Sequence, residues 1–75
     1  GFRLRESSRV SLAVFDLLGR HVGDLIRGEE FDEGYQAVEF IADGVASGVY
    51  FYRLEIEAME SEDYMVTTRK MLLLK

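Results

Sequence analysis

The nine residues VYFYRLEIE at positions 49–57 restrict the fold of this chain more than any other stretch. Tyr50, Tyr52, Leu54 and Ile56 recur at a period of two, so an extended backbone puts all four on one face. β-branched and aromatic residues dominate the run, and such side chains suit a pleated, half-buried surface. A strand with one apolar face must find neighbours and a second layer before it is stable in water.

Neighbours are present. VSLAVFD (10–16) alternates, with Val10, Leu12 and Val14 on one face. LLGR (17–20) reads as a turn in which Gly19 supplies positive φ. HVGDLI (21–26) resumes an extended pattern, but Val22 and Leu25 stand three apart, which predicts a bulge near Gly23. The acidic RGEEFDEG (27–34) reads as a connection. YQAVEFIA (35–42) predicts a strand with Val38 and Phe40 inward, and DGVASG (43–48) a glycine-rich turn. AMESED (58–63) is a charged loop, YMVTTRKMLLLK (64–75) a long final strand and FRLR (2–5) a short first one.

These runs predict an all-β antiparallel β-sandwich of about six to seven strands, with Met71 to Leu74 entering its core. The competing reading is a helix across VFDLLGRHVGDLIRGEEF, where Phe15, Leu18, Val22, Leu25 and Ile26 fall at helical spacing. Gly19 and Gly23 fall between those positions, each costing about 1 kcal/mol against alanine in a helix interior.

Seventy-five residues without repeats or proline-rich linkers make one domain, 1–75, with a thin stability margin. An apolar fraction of 48% is that of a folded chain, and no apolar run approaches the roughly 20 residues of a membrane span. The opening GFRLRESSRV has neither the apolar stretch nor the cleavage site of a signal peptide, so an exported protein would carry its signal elsewhere. With no cysteine, the chain has no disulfide or thiolate metal site. A net charge of −5, with the nine basic residues scattered, argues against nucleic-acid binding.

Catalytic chemistry is poorly provided for. His21 is the only histidine, and its ordinary reading is a solvent-facing strand residue. Ser47 lacks the nucleophile-elbow pattern. The acids Glu29, Glu30, Asp32 and Glu33, and again Glu60, Glu62 and Asp63, lack the ligand spacing of a calcium loop and read as solvated surface. DGVASG lacks the lysine and strand-to-helix context of a phosphate loop. The expectation is a non-catalytic domain without cofactor, metal or small-molecule substrate.

Four segments stand in one order: VSLAVFDLLGRHVGDL, the EG before YQAVEF, ASGVYFYRLE and TTRKMLLLK. Together, from about Val10 to Lys75, they resemble the C-terminal sorting domain of proteins exported by the bacterial type IX secretion system. The resemblance implies an immunoglobulin-like sandwich, in agreement with the strand reading. The family's D-L-x-G turn falls on Asp16, Leu17 and Gly19, and its strand-opening glycine on Gly34. Its A-S-G-x-Y segment falls on Ala46, Ser47, Gly48 and Tyr50, and its basic-then-apolar end on Arg69 and Lys70 through Leu74 to Lys75. The family usually carries an Asn-Pro motif before its first strand, and this sequence has no proline: either the motif lies upstream of Gly1, which the abrupt GFRLR start favours, or this member lacks it. Where the family often has Trp, Phe40 keeps an aromatic residue.

The resemblance implies a signal at the end of a longer secreted protein of a Gram-negative bacterium, exported to the cell surface or beyond. Its partners would be the outer-membrane secretion machinery, a sortase-like peptidase and an upstream cargo domain in the same polypeptide. Apart from the family, Asp16 suits an Asx-turn, Gly19 and Gly48 suit φ values that a Cβ penalises, and the Tyr50 hydroxyl can reach a loop carbonyl. Arg69, Lys70 and Lys75 have no evident folding role.

Two other classes compete. The D-x-x-G-R-x-V and S-G-x-Y patterns are also similar to the Ig-like domain of flagellar hook-capping proteins, a structural assembly module. A carbohydrate-binding module would need exposed aromatics, and without Trp these would be Tyr35, Phe51 and Tyr64.

Overall fold

The computed structural model describes residues 1–39 and 44–74. Those residues are all-β, without a helix, in two antiparallel sheets. The strands are β1 (Phe2–Leu4), β2 (Ser8–Phe15), β3 (His21–Phe31), β4 (Gly34–Gln36), β5 (Gly48–Ala58) and β6 (Tyr64–Leu73). A four-stranded sheet runs in the order β3-β2-β5-β6, and β1 pairs with β4 in a second, two-stranded one.

The central strands carry the period-two pattern cleanly. Val10, Leu12 and Val14 of β2 are buried and stand opposite Ile56, Leu54 and Tyr52 of β5. Leu4 of β1 joins Val10, Leu12, Ile26 and Leu54 in the core, with Phe2, Phe31 and Val38 packed around them. The short sheet is therefore a second layer over the inner face of the large one, giving a sandwich-like arrangement. Residues 14–31, where helical spacing competes, contribute to β2 and β3 instead.

β3 departs from the expected boundaries. Residues 27–31 continue the strand rather than forming a connection, because they pair with Ser8, Arg9 and Val10. Their acidic side chains are tolerated at a sheet edge, where Glu30 reaches Arg9 at 3.1 Å. The ladder slips three times: Val22 and Leu25 are each surplus against β2, and Arg27 and Gly28 together face the single residue Ser11. The first slip lies next to Gly23, where broken alternation predicts it. The second lets consecutive residues Leu25 and Ile26 both pack on the core. At the third, the Gly28 N–H donates to Ser11 Oγ at 3.0 Å.

Of the strand expected over 35–42, the described residues show Gly34–Gln36. Three residues of β1 are all that pair with it, and 37–39 are not in a strand. Val38 still packs on the core, while Phe40 lies outside the described residues.

The largest correction concerns β6. Met71 and Leu73 are only partly buried, Leu72 and Leu74 are exposed, and no residue of the strand enters the core. β6 borders the large sheet, and the β1–β4 layer packs over β2, β3 and β5 rather than over it. Its apolar residues are held by pairing with β5 and not by burial.

Candidate functional site

Two features coincide along β6. One is its backbone. All ten residues pair in unbroken register with β5, from Tyr64 opposite Glu57 to Leu73 opposite Gly48. Among the described residues no strand lies on the other side of β6, so its outward N–H and C=O groups face solvent. The other is a groove of about 430 Å³ on the inner face of the sheet, between β1 and β6. Tyr52, Leu54 and Ile56 form its floor, and Met65, Arg69 and Met71 its β6 side.

Register explains the second feature. Inward residues Tyr50, Tyr52, Leu54 and Ile56 of β5 stand opposite Met71, Arg69, Thr67 and Met65 of β6. Arg69 therefore sits on the groove face, in line with two methionines. Lys70 and Tyr64 project from the other face, opposite Phe51 and Glu57. Neither Arg69 nor Lys70 makes a hydrogen bond or ion pair with the described residues. Arg9, Arg20, Arg27 and Arg53 do, while Arg3 and Arg5 near the start of the chain do not. β6 carries no acidic residue, so the strand is a basic strip on a chain of net charge −5.

The other candidate residues gather mostly at one end of the large sheet. Asp16 begins the β2–β3 turn. Its Oδ1 accepts from the Leu18 and Arg20 N–H groups at 2.9 Å each, and Oδ2 accepts from Arg20 Nε at 2.7 Å. The Arg20 backbone N–H leads the effects that hold this carboxyl below its usual value, with the Arg20 guanidinium adding to it. Gly19 closes the turn with φ of 80° and donates to Asp16 O. At the same end β5 begins with Gly48, φ 155°, preceded by Ser47. The buried Tyr50 donates its hydroxyl to Ala46 O at 2.6 Å, fastening the loop to the strand. Phe15 stands opposite Phe51, which stands opposite Lys70, so turn, loop and basic strand meet there.

Gly34 is separate, opening β4 beyond the opposite end of β3, and Lys75 lies outside the described residues. The groove itself was not foreseen. Its signal is the period-two continuation of Met65, Thr67, Arg69 and Met71, a mixed face that cannot be fully buried.

Elsewhere, His21 Nε2 lies 2.8 Å from Asp24 Oδ1, and that hydrogen bond leads the effects lowering the Asp24 carboxyl. Arg53 lies over the Phe15 ring at 4.8 Å. The aromatics a sugar platform would need are dispersed: Tyr35 and Tyr64 are exposed on different sheets, and Phe51 is partly buried. Among the described residues, no three His, Cys, Asp or Glu side chains converge as a metal site would require.

No protein-family model, curated protein or solved structure matches this chain.

Proposed function

We propose that the chain is a non-catalytic, immunoglobulin-like C-terminal sorting domain, directing a secreted multidomain protein across the outer membrane to the cell surface. The observation that carries the reading is β6. It is a long, regular, basic strand whose cations have no partner among the described residues and whose apolar residues contribute little to the core. Such a strand is costly to display unless something recognises it, because an unpaired edge invites misassociation. The ordered resemblance in Asp16, Gly19, Gly34, Ser47, Gly48 and Tyr50 supplies the class of recognition: an outer-membrane export apparatus, followed by a sortase-like peptidase acting at the cell surface. The turn and loop residues of the motif are structural in this reading. They fix the end of the sheet from which the β6 signal is presented.

The test is a reporter carrying residues 1–75 at its C-terminus, expressed in a bacterium with this secretion route. Removing residues 70–75 abolishes surface display while the reporter still accumulates in the periplasm. Undiminished display after that truncation would overturn the reading.

A further inference from the structure

The two free edges of the large sheet are built differently. β3 slips register three times against β2 and carries Asp24, Arg27, Glu29 and Glu30, devices that blunt an edge against further pairing. β6 has no register slip and no acidic residue, and its only charges are the adjacent Arg69 and Lys70. It keeps ten consecutive paired positions without a bulge, contains no proline, and is flanked on one face by a groove of mixed polarity, in which Arg3, Thr67 and Arg69 stand beside apolar side chains. An incoming extended chain would find backbone partners along β6 and a depression for alternate side chains, the two components of strand-addition recognition.

Charge selects the occupant. Arg69 and Lys70 are adjacent, so they stand on opposite faces of the strand, and both lack an anionic partner among the described residues. A second copy of β6 is a poor match, since the strand holds cations and no anions and each chain carries net charge −5. Self-pairing would set like charges within one ribbon, where directly opposed like charges destabilise.

We propose that the β6 edge and its groove capture an extended peptide segment bearing neighbouring carboxylates. The segment adds as a fifth strand, with one carboxylate facing Arg69 on the groove side and the next facing Lys70 on the other. Its other groove-side residues are apolar and lie beside Met65 and Met71. The inference deepens the export reading by naming the partner's chemistry and rests on the same strand. The binding measurement needs no secretion apparatus, so failure of one is distinguishable from failure of the other.

The probe is a capped, fluorescein-labelled peptide of about ten residues, alternating valine and threonine, with two adjacent glutamates at its centre. Titrated with the 75-residue chain at low salt, it gives saturable anisotropy. The double variant Arg69→Glu, Lys70→Glu weakens binding about tenfold or more, the scale of reversing two cross-strand charge pairs. A matching peptide with central lysines prefers the double variant over the parent chain. Both substituted side chains are exposed, and an unchanged urea midpoint confirms that the variant is folded.

Two further probes carry N-methyl groups on alternate amides, one on each edge of the peptide. One loses binding and the other keeps it, because only one edge of the peptide can face β6. Absence of saturable binding, or equal affinity for the glutamate and lysine peptides, overturns the proposal. So does equal binding of both N-methylated probes, which would mean capture without strand pairing. A parent dimer in sedimentation that the peptide dissociates would assign the edge to a second copy instead.

Discussion

Tyr50 and Asp16 each bind a loop to the strand beside it, by different chemistry. The Tyr50 ring is buried while its hydroxyl donates to Ala46 O, so one side chain serves both the core and the segment before β5. Tyr50→Phe keeps the packing and removes the bond to that carbonyl, so it should cost about 1 kcal/mol in urea denaturation. Asp16 acts through charge, and its effect depends on pH. Its folded pKa is below the ordinary 3.8, so the folded state holds fewer protons than the unfolded chain near that pH. Its contribution is present above 3.8 and is lost as the pH falls through its lowered folded value. Asp16→Asn is expected to be less stable at neutral pH and to lose less on acidification, read from urea midpoints across the acid range. Both roles are legible in the sequence because each depends on partners within four residues. Arg69 is the opposite case, since which face it occupies is fixed by register with β5, two strands' worth of information.

Among the strands, β2 and β5 were readable and the edges were not. A central strand is obliged to alternate on both sides of its ladder, and Val10, Leu12 and Val14 do so against Ile56, Leu54 and Tyr52. β3 is freed from that obligation by its bulges, which is why its acidic second half reads as a loop. β6 reads as a core strand from its leucines, yet pairing rather than burial holds it, and composition alone does not separate the two. The groove follows from the same missing fact. Two measurements check this ranking. Val10→Ala, at a position with no exposed surface, should cost roughly 2 kcal/mol from lost burial and the cavity left behind. Amide hydrogen exchange should be slowest along β2 and β5, with the outward amides of β3 and β6 exchanging far faster.

Across the molecule, unequal edges give the large sheet a direction. Open-ended strand association needs a willing edge at both sides, because each added unit must offer the next one a place to pair. Here β6 is regular while β3 is bulged and studded with charge, so a copy docked by its β3 on another's β6 would meet a ladder broken in three places. A chain of copies joined β3 to β6 is therefore disfavoured, whatever pairs at β6. A chain built this way can expose a flat basic strand without seeding a fibre.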